Sequence, residues 1–290
     1  MRGPLYIIAA MGLFALLDAN SKLLSGTYPV EQVVAIRYAA LLLVLFAGRA
    51  AVPGLGGRLD TAHPFLHLTR AAFMVGSGVG FFQALRTIPL AEGYLVYFTA
   101  PFMTLGLAAL VLRERTGPAV WGWSLLGFSG VAVAMWPGLS VSGPWDAYLW
   151  ALFATGCYAA VMTINRLLRH ETGAAALILW SSLPGLLALA PFAAMGWVRP
   201  GVVDLLALSV NGLLAGGATV CLAIAFRYDS AARLAPLEFS ALVFAVGLDL
   251  AVWQVLPSGW TLGGAVIVVF ALVMSQRAAS HLQAKPSGNA

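Results

Sequence analysis

The stretch ALRTIPLAEGYLVYFTAPFMTLGLAALV, residues 84–111, can be laid without a gap over AFRYDSAARLAPLEFSALVFAVGLDLAV, residues 225–252. The shift is 141 residues, and Ala84, Arg86, Ala91, Phe98, Ala100, Gly106, Leu107 and Val111 fall on identical residues. In the same register Gly76 meets Gly217 and Gly122 meets Gly263. A single ungapped register across two apolar segments predicts an internal repeat.

The repeated material is apolar, and so is the rest of the chain. Of 290 residues, 61% are hydrophobic and 9% charged, with a mean hydropathy of +0.89. Soluble domains carry roughly 25% charged residues. A chain so poor in charge requires an apolar solvent, and the hydrocarbon core of a bilayer, ~30 Å thick, supplies one. The net charge of +5 comes from Lys and Arg scattered singly at the ends of apolar runs. They form no stripe, so no nucleic-acid partner is expected. Cys157 and Cys221 sit in separate apolar segments and fit no metal or redox spacing. The first apolar run lacks an Ala-x-Ala cleavage site and reads as a retained helix.

Segments of ~20 apolar residues are long enough to cross the bilayer as helices. Ten are expected, at 4–24, 30–50, 65–86, 91–112, 118–137, 145–167, 174–196, 202–226, 232–254 and 260–277. Turn signals such as VPGLGG, WPGLSVSGP and LPSG separate them. The expected fold is an all-α integral membrane protein of ten transmembrane helices. With a cytoplasmic N-terminus, Arg2, Arg49, Arg58, Arg70, Arg113, Arg115, Arg166, Arg169, Arg227, Arg233, Arg277 and Lys285 lie inside, and Lys22, Arg86 and Arg199 outside. That bias places both termini in the cytoplasm. The division is a first five-helix repeat over 1–140, a second over 141–277 and a flexible tail over 278–290. Five is odd, so the second repeat enters the membrane upside-down. Inverted repeats are a hallmark of secondary transporters, whose sites lie at the repeat interface near mid-membrane.

The order of spans, the pattern YPVEQVVAIRYAALLLVL on span 2 and the run from Ala84 through RERTGP to Val131 resemble the drug/metabolite transporter superfamily, in its EamA-type branch. The resemblance covers essentially the whole chain. It implies two five-helix repeats and the export of amino acids or other small metabolites across a bacterial inner membrane. The second half departs from the pattern at Val255, where the first half has Glu114. Asp249 is also unusual for span 9.

Ionisable residues inside apolar runs are the candidate site. Glu238 and Asp249 are eleven residues apart, close to three helical turns, so they share a face of span 9. Pro236 precedes them and permits a bend. Under the 141-residue shift Glu238 falls on Tyr97. Tyr94, Tyr97, Phe98 and Pro101 form one stripe on span 4. An aromatic face with a carboxylate suits an ammonium group. On span 1, Asp18 and Lys22 are spaced to pair along the helix, and Arg37 on span 2 is another partner for Asp18. Gln83, Tyr158 and Trp180 complete the substrate-binding candidates, with interhelical bonding or packing as their alternative. Glu238, Asp249 and Asp18 are the candidates for proton coupling. Gly76 and Gly80 make a close-contact GxxxG surface on span 3.

The leading function is a secondary transporter, an exporter of amino acids or related metabolites, working by alternating access. Quaternary amines, nucleotide-like metabolites or S-adenosylmethionine are the alternative solutes. A membrane-embedded lipid-modifying enzyme is the alternative class, but His63, His67, His170 and His281 complete no HExxH site and no GxSxG occurs. A non-transporting receptor or assembly subunit is a third reading. The expected partners are a small-molecule solute and the lipid bilayer, with no cofactor and no metal. The sequence allows a monomer.

Overall fold

The computed structural model describes residues 2–111, 118–139, 144–168, 174–228 and 237–284. The RERTGP turn around Glu114, Pro236 and Lys285 lie outside the described residues. The chain is all-helical, with no strand among the described residues. The long helices are α1 (Arg2–Leu24), α2 (Val30–Ala51), α3 (Pro64–Leu85), α7 (Trp145–Leu167), α8 (Ala174–Met195), α9 (Val202–Tyr228) and α11 (Gly259–Ala284). Shorter ones are α4 (Leu90–Tyr97), α5 (Ala100–Val111), α6 (Pro118–Met135) and α10 (Ser240–Leu248). Seven segments, with α4 and α5 taken as one, are long and apolar enough to cross a membrane. Shorter apolar helices at Trp121–Met135, Ser240–Trp253 and Gly259–Ser275 coincide with the remaining expected spans. Large apolar side chains such as Leu110 (79% exposed) and Val266 (70%) face outward, as hydrocarbon contact requires.

One expected span is broken. The sequence reads 91–112 as a single helix, but α4 stops at Tyr97 and α5 starts at Ala100. Pro101 is the cause, since it has no N–H to offer the Tyr97 carbonyl. The turn between them tightens: the Thr99 N–H donates to Val96 O at 3.0 Å, and its hydroxyl donates to the same carbonyl at 2.7 Å. Span 9 bends at the matching residue. Phe98 has φ −67° and ψ −4°, and Phe239, its partner in the 141-residue register, has φ −64° and ψ −14°. Span 9 then ends in a wide turn over Asp249–Trp253. Gln254 takes the left-handed conformation (φ 56°), and the Val255 N–H closes back on Asp249 O at 3.1 Å.

The helix contacts are almost unchanged by exchanging the two halves. α1 packs on α9, and α3 on α7. α2 also packs on α9, and α3 on α8. α1 meets α10, and α4 and α5 meet α7. The pairs α2–α8, α6–α11 and α4–α10 map onto themselves. Polar contacts join both members of the exchanged pair α1–α9 and α3–α7. Asn20 Nδ2 donates to Asn211 Oδ1 and to Ala207 O, both at 2.8 Å. Arg70 of α3 donates from Nε to Asn165 Oδ1 of α7 (2.7 Å) and from a terminal nitrogen to Leu177 O of α8 (3.0 Å). α6 and α11 approach closely. A Cβ on Gly264 would lie 2.5 Å from both Gly130 O and Ala134 Cβ, so only glycine allows the two backbones to touch there.

Gln32 braces the segment between α8 and α9. Its amide nitrogen donates to Val198 O (2.7 Å) and its oxygen accepts from Val198 N (3.0 Å), with the side chain fully buried. Gln32→Leu would orphan both backbone groups. A loss of about 1–3 kcal/mol is expected, read as a lower melting temperature in detergent.

Candidate functional site

The two bends meet. The rings of Phe98 and Phe239 touch edge to face at 5.1 Å between centroids. Residues aligned by the repeat therefore contact each other, which puts the line exchanging the two halves through this point. Immediately before each phenylalanine stand Tyr97 and Glu238, also aligned with one another.

From Tyr97 a chain of aromatic groups runs between helices. Its ring lies 4.7 Å from that of Tyr158 on α7, tilted by 40°. Glu238 interacts electrostatically with Tyr158. On the other side Phe81 of α3 holds both tyrosines of span 4, with Tyr97 at 5.4 Å and Tyr94 at 5.9 Å, the latter perpendicular. The Tyr94 hydroxyl donates to Asp18 Oδ2 at 2.7 Å. Arg37 acts on Asp18 electrostatically, and its guanidinium lies against Gly78, where a Cβ would come within 2.5 Å. The result is a tyrosine-lined seam with a carboxylate at either end, contributed by α1, α3, span 4, α7 and span 9. The i, i+3, i+4 stripe on span 4 explains why Tyr94, Tyr97 and Phe98 all reach it. Ser240, beside Glu238, has a buried hydroxyl with no hydrogen-bond partner among the described residues.

Asp18, Tyr94, Tyr97, Phe98, Tyr158 and Glu238 are thus brought together. Gln83 and Trp180 are not. Gln83 Oε1 accepts a long bond (3.4 Å) from Arg86 one turn along its own helix. Trp180 donates from Nε1 to Leu59 O (3.0 Å) and its ring lies 6.0 Å from His67, tying α8 to the segment before α3.

The expected pairing of Asp18 with Lys22 does not form. Lys22 Nζ donates instead to Ile88 O at 2.9 Å and lies 3.7 Å from Asp249 Oδ1, over the ring of Trp253. Asp249 is 1% exposed and accepts from the Leu90 and Ala91 N–H groups at 3.0 and 2.8 Å. It caps α4, where the free N–H groups and the helix dipole favour an anion. Glu92, which sequence reasoning passed over, accepts from the Tyr148 hydroxyl at 2.6 Å. Its signal was present: it is an acid in the first turn of an apolar span, as Asp249 is in the last turn of one.

Discontinuous helices in matching positions of two halves, with polar groups gathered between them, are the arrangement that helical membrane carriers use. Comparison with known proteins agrees. The EamA-like transporter family profile matches residues 1–136 and 145–276, so the chain belongs to the EamA-like transporter family of the drug/metabolite transporter superfamily and is a multi-pass membrane transporter. It is 28% identical to the pseudopaline exporter CntI of Pseudomonas aeruginosa (95% of this chain, 96% of that one). It is 23% identical to the S-adenosylmethionine uptake transporter of Rickettsia prowazekii (93% and 90%). It is 26% identical to a riboflavin transporter of Rhizobium johnstonii (98% and 94%). A solved crystal structure shares the fold, with a TM-score of 0.64, 20% identity and coverage of 97% of this chain and 99% of that one.

Proposed function

We propose that this chain exports amino acids or related amine-bearing metabolites across a bacterial inner membrane. In this reading ten spans form two inverted five-helix repeats with both termini cytoplasmic. The two halves rock about the Phe98–Phe239 contact and expose the tyrosine-lined seam to each side in turn. The carrying observation is the meeting of the two symmetric bends, flanked by Tyr97 and Glu238. The separate family matches to residues 1–136 and 145–276 support the repeat, and the exchange-invariant helix contacts support its symmetry. An ammonium group fits between the carboxylates and the phenol faces, with Asp18 and Glu238 as its counter-ions. Gln83 and Trp180 play no direct part in this version of the site. Asp249, already satisfied by two N–H donors and Lys22, is a poor proton carrier. Proton exchange, where it drives export, falls to Glu238 or Asp18.

A second reading is uptake or exchange of an S-adenosylmethionine-like cation. It is favoured by the likeness to the S-adenosylmethionine uptake transporter of Rickettsia and by the same acid–aromatic chemistry. Purified chain in proteoliposomes, offered a labelled amino-acid and amine panel with and without a pH gradient, separates these readings. Saturable flux of amino acids or amines above protein-free vesicles is expected. Flux confined to the sulfonium cation favours the second reading, and no flux across the panel overturns both.

A further inference from the structure

The contacts around Lys22 and Asp249 lie at the bundle end opposite the N-terminus, where α1 ends, α4, α7 and α11 begin, and span 9 finishes. All but the Lys22–Ile88 bond cross between the halves. Lys22, Leu90, Ala91 and Glu92 come from the first half, and Asp249, Trp253 and Tyr148 from the second. Two layers can be distinguished. In one, the Asp249 carboxylate receives both N–H groups of the α4 first turn and faces the Lys22 ammonium, which is held in turn by Ile88 O and the Trp253 ring. In the other, Glu92 takes the Tyr148 hydroxyl at 2.6 Å. Asp249 is 1% exposed and the Lys22 side chain 14%, so these charges are withdrawn from water and screened little.

From this geometry we infer that Asp249, Lys22 and Glu92 form a latch that closes the solute path at this end, and that the path opens when the Asp249 carboxylate leaves the first turn of α4. The inference rests on the transport reading above, in which this end is periplasmic. Two further features support it. First, α4 is only eight residues long, and its face carries Tyr94 and Tyr97 directly into the seam. Displacing its N-terminus therefore displaces the groups that would hold solute, which couples binding to opening. Second, the position that matches Asp249 in the first half carries no acid. The residue aligned with Asp249 by the 141-residue shift is Ala108, a buried methyl. Among the described residues the opposite end is bridged by the Arg70–Asn165 contact, with no carboxylate at the matching position. With the latch formed, as here, unloaded protein should rest closed toward the periplasm.

The test uses full-length chain in membranes, with Cys157 and Cys221 replaced by alanine and a reporter Ala245→Cys. Ala245 is fully buried on α10, one turn before Asp249. An impermeant thiol reagent is applied to each face separately. Asp249→Asn is expected to raise periplasmic labelling at least about tenfold, the range for hydrogen bonds to a charged group. Lys22→Gln leaves both α4 N–H bonds intact and should fold even where Asp249→Asn does not. A rise of about threefold is expected for it, and the double variant should label no faster than Asp249→Asn alone. Unchanged labelling in folded Lys22→Gln, or fully multiplicative effects in the double variant, overturns the latch. A rise confined to the face bearing the N-terminus supports the latch and overturns the orientation. A rise in a chain that moves no solute supports the latch and overturns the transport reading.

Discussion

Asp18→Asn is expected to lower solute flux at least about tenfold without reducing the amount of folded protein in the membrane. The carboxylate accepts from Tyr94 at 2.7 Å and is influenced by Arg37. Both contacts orient it toward the seam. A hydrogen bond to a charged group contributes about 1.5–3 kcal/mol, and losing one that is realised during translocation changes a rate by an order of magnitude or more. Asparagine keeps the shape and one acceptor oxygen, so the fold is preserved and the loss falls on flux. Tyr94→Phe removes the same bond while keeping the charge. It should cost less, about threefold, and should raise the half-saturating solute concentration more than it lowers the maximal rate. At the other end of the seam, Glu238→Gln should remove any dependence of flux on an imposed pH gradient. Unchanged flux and unchanged pH dependence would take Glu238 out of the coupling step.

Gly264→Leu should be the most damaging substitution for stability. With Gly130 O and Ala134 Cβ both 2.5 Å from a Cβ at position 264, α6 and α11 must separate to admit any side chain. Overpacking costs about 1–3 kcal/mol where neighbours can shift, and more where the obstacle is backbone, as here. The measurement is the melting temperature of purified protein in detergent, together with its yield. Gly263→Leu, one residue earlier, is the control. Nothing lies within 4 Å of a Cβ built there, so little change is expected. Equal effects at the two positions would contradict the close α6–α11 contact.

The two substitutions bear on different parts of what could be read from the chain. The register that matches the two bends was legible because Phe98 and Phe239, or Gly106 and Gly247, keep it over two apolar segments. The stripe of Tyr94, Tyr97 and Phe98 was legible because helical spacing alone puts these rings on one face. The bend at Phe98 was not anticipated, although Pro101 was in view. The run stays apolar through the proline, and hydropathy carries no record of a missing N–H. The partner of Lys22 was misread for a different reason. An i, i+4 acid is the nearest candidate along the chain, whereas Asp249 arrives from the opposite half and wins because it also satisfies two N–H groups of α4. Trp180 could not be placed because an indole at a span end packs equally well toward a loop or a cavity, and Leu59 O decides it.

The central claim is that the seam around Tyr97 is a path open to each side of the membrane in turn. A cysteine at position 97, in a chain otherwise free of cysteine, tests it with an impermeant thiol reagent applied to one face at a time. Labelling from both faces, slowed from both by a transported solute, is the expected result. Labelling from neither face, or from one face only whatever solute is present, would contradict the account.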